Sequence, residues 1–468
     1  MAETAGSSTS SRHSEASIAA RMDRLPITSL HRRAVVVIGL GQFFDLYEIF
    51  LAGVLSAVLA SQFKLEKGVV ALLLASAFIG MFVGALALGR IADRLGRRRA
   101  FLLSLGIYSV FSLLSAFSPG PAMLVVTRFF SGIGIGAEPP IADAYLSDLL
   151  PPAKRGRYIA WAYTIGFLGV PASGFLARGL ATNVVAGIEG WRWMFVLGAL
   201  GSVIVALLRR SLPESPRWLA ANGRADEADE VVHRFEAEVP TAELPEPDAV
   251  HAAPPRERGS FRELLVPPYR RRMGMMALFH LLQSFGYYGF GTLVPLVLVA
   301  KGFPIVTSLG FAALTFLGYP VGSLLSLPLV ERLERKHLLV ASGLAMAVFG
   351  LLFGLSDAPV AIVIFGFLYT VISNVFSNSF HIYQAEIFPT RLRATASGST
   401  YGLSRLSNAL LPFILLPVLA AFGPVAMFAV VSLAMVIVAL DIGLLGPRST
   451  GRDLESVNTV EASSHFNV

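Results

Sequence analysis

No cysteine occurs among the 468 residues of this chain, and only 15% of them are charged. The first absence excludes disulfides, CxxC redox chemistry and metal held by thiolates. The second sets the chain apart from soluble domains, in which about a quarter of the residues are charged. The HExxH pattern and the phosphate-cradling P-loop are missing too, and the glycines at 132, 134 and 136 follow an apolar run rather than a strand. No catalytic residues, metal site or cofactor are therefore expected. The first thirty residues are rich in serine and lack an apolar core, so they are not read as a cleaved signal peptide. Segment 1–30 is expected to be a disordered cytoplasmic tail.

What is present is apolar surface, with 54% hydrophobic residues and a mean hydropathy of +0.65. A bilayer core about 30 Å thick takes roughly 20 apolar residues as a helix. On that ruler, spans lie near 34–60, 69–89, 100–118, 122–146, 157–179 and 192–208, then near 274–300, 305–329, 338–356, 359–382, 395–420 and 423–446. Runs of this length in lipid mean helices, because every backbone group must find its partner within the segment. The fold class is therefore an all-α membrane protein. Its expected parts are an N-terminal bundle (31–208), a cytoplasmic central loop (209–272), a C-terminal bundle (273–446) and a cytoplasmic tail (447–468). Within the loop, 224–238 suits a surface helix and 240–255 a linker.

The net charge of +7 does not point to nucleic acid, because the basic residues cluster between spans. Arg90, Arg94, Arg97, Arg98, Arg99, Lys154, Arg155, Arg157, Arg332, Arg335, Lys336, Arg391 and Arg393 all fall in loops on one side. Positive charge stays inside, so both termini are expected in the cytoplasm and the chain in the cell membrane.

The sequence also repeats itself. Val83-Gly-Ala-Leu with Asp93-Arg-Leu and Arg97-Arg returns 238 positions later as Val321-Gly-Ser-Leu with Glu331-Arg-Leu and Arg335-Lys. The same offset carries Tyr145, Asp148, Pro151 and Arg155 onto Tyr383, Glu386, Pro389 and Arg393. A duplicated six-helix half is the mark of a transporter whose halves rock about a central site.

These residues carry a resemblance. Gly89 to Arg99 resembles the loop 2–3 motif of the major facilitator superfamily. Arg128 with Gly132, Gly134 and Gly136, followed by Asp148 and Arg155-Gly-Arg, resembles the sugar-porter branch and its metabolite-symporter relatives, as do Pro213-Glu-Ser-Pro-Arg-Trp-Leu219 and Ala385-Glu-Ile-Phe-Pro-Thr-Arg-Leu-Arg393. The likeness covers about residues 34–446. It implies twelve transmembrane helices in two pseudo-symmetric six-helix bundles. The double glutamine of sugar porters in span 7 is replaced by Leu281-Leu-Gln283-Ser-Phe-Gly-Tyr287-Tyr288, and the tryptophan before the loop 10–11 motif is absent. Asp45-Leu-Tyr-Glu48 is closer to the paired carboxylates of aromatic-acid and other organic-acid symporters. Arg128 with Glu138-Pro139 resembles niacin-type and synaptic-vesicle-related transporters.

Asp45 and Glu48, three apart, share a helical face near the middle of span 1. A charge there costs at least about 2.5–3.5 kcal/mol unless paired or protonated. The resemblance assigns a proton-coupling pair to Arg128 and one of these two carboxylates, and leaves open which one. Glu138 is read as a second proton site or a partner for Arg405, a cation in an apolar stretch of span 11 suited to a substrate carboxylate. Gln283, Tyr287, Tyr288, Asn374 and Asn378 are further candidate substrate contacts. His280 and His381 are read as packing residues. Gating at the cytoplasmic face is assigned to Gly89, Asp93 and Arg94 with Glu331 and Arg332, and to Asp148, Arg155, Glu386 and Arg393, while Arg97 to Arg99 are read as orientation anchors. Gly80 with Gly84 and Gly132 with Gly136 are small-residue pairs that let helices approach. The function expected is proton-coupled symport of a small organic acid by alternating access. Sugar symport and drug/proton antiport remain as alternatives. The partners are the substrate, protons and the bilayer, with the chain acting as a monomer.

Overall fold

The computed structural model describes residues 18–240, 244, 260–267 and 269–449. Ten helices among them are long and apolar enough to cross a membrane. One of these, Thr395–Leu445, is two spans in one run, broken where Gly423 takes a φ of 81° and Pro424 starts the second. Span 4 carries Arg128, Glu138, Asp143 and Asp148 and stands outside that set. The bundle thus has twelve spans. Spans 1 to 4 are Ser29–Gln62, Lys67–Leu95, Arg97–Ala116 and Pro121–Leu149. Span 5 is Pro152–Phe167 with Gly169–Leu180, and span 6 is Gly190–Arg210. Span 7 is Tyr269–Ala300, span 8 is Ile305–Phe316 with Gly318–Arg332, and spans 9 and 10 are Arg335–Leu355 and Pro359–Glu386. Spans 11 and 12 share Thr390–Leu445.

Proline sets several of these boundaries. Pro121, Pro152 and Pro359 each begin a helix, where the missing N–H costs nothing. Inside spans 5 and 8, Pro171 and Pro320 cannot donate back to residues 167 and 316, and both helices break at that turn.

Spans 2 and 4 cross on glycine from both sides. A Cβ at Gly80 or Gly84 would overlap the carbonyl of Phe129 or Ile133, and one at Gly132 or Gly136 would overlap that of Ala77 or Met81. The two halves also meet backbone to backbone. Gly53 of span 1 lies on Thr292 of span 7, and Gly174 of span 5 lies on Ala313 of span 8.

The duplicated motifs form duplicated contacts. Arg97 reaches Asp148 at 3.9 Å, and Arg335 reaches Glu386 at 3.4 Å. Tyr145 donates to the Pro213 carbonyl (2.7 Å) and Ser215 to Asp148 (2.7 Å). Tyr383 likewise donates to the Pro447 carbonyl (2.9 Å) and Ser449 to Glu386 (2.7 Å).

Two sequence expectations are corrected here. Residues 18–23 are helical, with Ile18, Met22 and Leu25 buried, so the tail is structured well before residue 30. This helix docks on Ala225–Glu236, with Glu236 accepting from Arg21 and Arg24 at 2.7 Å each. Hydrogen bonding from Arg21 outweighs burial and pulls the Glu236 carboxyl down to about 2. Residues 1–17 lie outside the described residues, as do 241–243 and 245–255 of the expected linker and 450–468 of the tail. The central loop is also shorter than expected, because Arg209 and Arg210 close span 6 and 269–272 open span 7.

The glycine crossing generates a test. Gly136→Val should drive a branched side chain into the Met81 backbone, and overpacking costs about 1–3 kcal/mol or more. The variant is expected to lower the melting temperature in detergent by several degrees relative to Gly68→Val, a position with open space around it.

Candidate functional site

Asp45 and Glu48 are both buried on span 1, and they lead to different partners. Glu48 forms an ion pair with Arg128 of span 4, which also donates to the Glu48 carbonyl at 3.0 Å. Ser112 of span 3 donates to the other carboxylate oxygen at 3.3 Å. The pair is closed on all sides, with exposures of 0% and 1%.

One turn toward the basic end, Asp45 faces Glu138 of span 4 and Arg209 of span 6. Glu138 accepts from Arg209 at 3.4 Å, so its partner is Arg209 and not Arg405 as the sequence suggested. Arg209 is 2% exposed, and its guanidinium lies over the Phe101 ring. Gly41, one turn before Asp45, makes this possible: a Cβ there would overlap the Glu138 carboxylate. Among the described residues no N–H or hydroxyl donates to either Asp45 oxygen, whose carboxyl meets that of Glu138, and neither end of the Gln42 amide on the same helix finds a partner. The cluster thus holds two carboxyl groups and one guanidinium in a region that tolerates no net charge.

The C-terminal half has the opposite imbalance. Arg405 of span 11 is 5% exposed, and it donates to the hydroxyls of Tyr288 (3.4 Å) and Tyr401 (3.3 Å). Among the described residues it makes no ion pair. Rings from both halves gather around it. Tyr288 stacks with Phe50 of span 1 at 6.5 Å and meets Phe78 of span 2 edge-on at 5.3 Å. Tyr287 meets Tyr319 at 5.7 Å, and Tyr319 stacks with Phe167 of span 5 at 6.3 Å. Asn408, one turn beyond Arg405, has both amide atoms without a hydrogen bond among the described residues.

The other expected residues serve their own halves. Gln283 donates to Ser404 at 2.9 Å. Asn374 donates to the Tyr319 carbonyl and Asn378 to Ser326 at 2.7 Å, both tying span 10 to span 8. His280 is bonded to Gln384 at 2.6 Å. His381 stands between Phe380 and Tyr401.

Of the expected gating residues, Asp148 and Glu386 are held by Arg97 and Arg335, two arginines read only as anchors or repeat markers. Arg155 donates to the Leu150 carbonyl at 3.1 Å and reaches Asp23 at 3.6 Å. Each of these contacts stays within one half. Arg94, Glu331 and Arg332 are exposed. Gly89 lies within span 2, and the side chains of Asp93 and Arg393 lie outside what is described.

The sequence reading missed Arg209, Asp143, Tyr163 and Tyr401. Asp143, half-buried on span 4, accepts from the Tyr163 hydroxyl of span 5 with both oxygens at 3.0 Å. A carboxylate in an otherwise apolar stretch was the available signal for Asp143. Arg209 was hidden by the polar loop that follows it.

Comparison with known proteins agrees with this architecture. Residues 34–460 match the family model described as sugar (and other) transporter. The chain is 32% identical to the putative metabolite transport protein YyaJ of Bacillus subtilis, over 85% of this chain and 88% of that protein. It is 30% identical to the niacin transporter NiaP of Acinetobacter baylyi, over 94% of this chain and 99% of that one. The xylose transporter XylE of E. coli, in a partially occluded inward-open conformation, superposes with a TM-score of 0.74 at 18% identity, over 91% of this chain and 100% of that one. This chain therefore belongs to the sugar (and other) transporter family of the major facilitator superfamily, and it is a multi-pass membrane transporter of small molecules rather than an enzyme.

Proposed function

We propose that the protein is a proton-coupled symporter of a small aromatic carboxylate, working by alternating access from the cell membrane with both termini cytoplasmic. One observation carries the reading: among the described residues the N-terminal half buries two carboxyl groups, Asp45 and Glu138, around the single guanidinium of Arg209, and the C-terminal half buries the Arg405 guanidinium with no ion pair. A proton completes the first and a substrate carboxylate the second. Planar rings at Phe50, Phe78, Tyr287, Tyr288 and Tyr319 suit an aromatic body beside the charge. The niacin transporter among the relatives is named for a substrate of that chemistry, a carboxylate on an aromatic ring.

In the proposed cycle a proton enters the Asp45–Glu138–Arg209 cluster while the site faces outward. The cluster is then neutral, and the substrate anion neutralises Arg405. With these two imbalances removed, the halves rock with less uncompensated charge in low-dielectric surroundings. Exposure to the more alkaline cytoplasm releases the proton. Glu48 and Arg128, already neutral as a pair, hold spans 1 and 4 together while Asp45 changes charge below them.

Both assignments are testable in proteoliposomes with labelled nicotinate and benzoate. Asp45→Asn is expected to abolish accumulation driven by a pH gradient while exchange of preloaded substrate persists. Accumulation at the wild-type level would remove Asp45 from the coupling. Arg405→Gln is expected to weaken apparent affinity about 10- to 100-fold, the range for losing a charged hydrogen-bonded partner. Uptake of neutral sugars with no response to either carboxylate would overturn the substrate assignment.

A further inference from the structure

We propose that Asp143 is the transporter's own occupant of the Arg405 site, a carboxylate that takes up the guanidinium when no substrate is bound and yields it when one arrives. The inference rests on the reading of Arg405 as the carboxylate anchor.

The two groups stand on opposite halves. Asp143 (span 4) is held by one neutral hydroxyl, that of Tyr163 (span 5). Among the described residues no lysine, arginine or histidine lies within ion-pair distance of it. Arg405 (span 11) is held by two neutral hydroxyls at 3.3 and 3.4 Å, close to the limit for a hydrogen bond. Tyr163 stands within electrostatic reach of Tyr401 and Arg405, and Asp143 within reach of Tyr401. Among the described residues an anion without an ion pair and a cation without one are therefore each held by tyrosine hydroxyls, Tyr163 in one half and Tyr288 and Tyr401 in the other.

That separation belongs to the rocking coordinate, because spans 4 and 5 move with one half and span 11 with the other. In the empty transporter, approach of the halves brings the Asp143 carboxylate toward the guanidinium, so the return step does not leave either charge unmatched in oil. A substrate carboxylate on Arg405 occupies the same donors, and Asp143 stays on Tyr163. Substrate and Asp143 are thus alternatives for one cation. Removing Asp143 takes away a competitor for binding and a counter-charge for the empty return.

The test compares net uptake with exchange of labelled nicotinate in proteoliposomes, using full-length protein of verified melting temperature. Asp143→Asn is expected to lower the apparent KM about threefold or more, to slow net uptake about tenfold and to leave exchange near the wild-type rate. Asp143→Glu is expected to restore the ratio of net uptake to exchange. Tyr163→Phe keeps the carboxylate and frees it, so it should move KM in the opposite direction. It serves as the deciding variant if Asp143→Asn does not fold. Wild-type KM and a wild-type ratio in Asp143→Asn, or no rise of KM in Tyr163→Phe, would overturn the proposal. Arg405→Gln separates the two levels of inference. If that variant binds nicotinate as wild type does, the anchor reading fails. If it loses binding while the Asp143 and Tyr163 variants behave as wild type, only the internal-occupant proposal fails.

Discussion

A bilayer interior enforces charge balance, and the arrangement of this protein's central residues follows from that constraint. Glu48 and Arg128 meet it as a closed pair that also engages backbone and Ser112. Glu138 and Arg209 meet it as a second pair, with the cation lying over Phe101. Asp45 stands beside the second pair and shares its one cation, and among the described residues Arg405 stands across the interface with hydroxyls and no ion pair. Desolvation penalises each of these two residues unless something mobile completes it. Transport chemistry is therefore concentrated where static pairing is incomplete, and the complete pairs hold the helices that surround it.

Much of the fold is legible from hydropathy and self-similarity alone, because span length and the 238-residue offset are properties of the chain. The paired contacts Arg97–Asp148 and Arg335–Glu386 are that offset expressed in space. The pairing of the central charges is less accessible, since it depends on how neighbouring helices are rotated and at what depth they meet. Depth was nevertheless available. Span 1 runs away from the basic end, so Glu48 sits about 4.5 Å farther along than Asp45. Span 4 runs back, so Arg128 comes first and Glu138 later. Matching antiparallel depths assigns Arg128 to Glu48 and leaves Glu138 for Asp45.

Arg209 escaped for a different reason. It is followed by Arg210 and a polar segment, a context that reads as loop, while its side chain turns back along span 6 into the bundle. Tyr163 and Tyr401 escaped because a tyrosine in a membrane helix looks like packing until its hydroxyl is seen against a charge. Similarly, the serine-rich start concealed a short helix whose buried face, Ile18 and Met22, continued by Leu25 just past its end, is too brief to register as periodicity.

The carbonyls at the end of span 3 and their repeat equivalents at the end of span 9 are each capped by a cation, but the cations come from unrelated places. Arg192 at the start of span 6 donates to Ala116 and Ser118 at 2.7 and 2.9 Å. Lys301, just past span 7, donates to Gly354 and Ser356 at 2.7 and 2.9 Å. Positions 116 and 118 map onto 354 and 356 by the repeat, whereas 192 and 301 do not correspond. The exposed partial negative charge of a helix terminus is thus the inherited requirement, and the residue that answers it is free to drift between elements after duplication. Homology between the halves should accordingly be sought in the helix ends that need a cap rather than in the side chains that provide one.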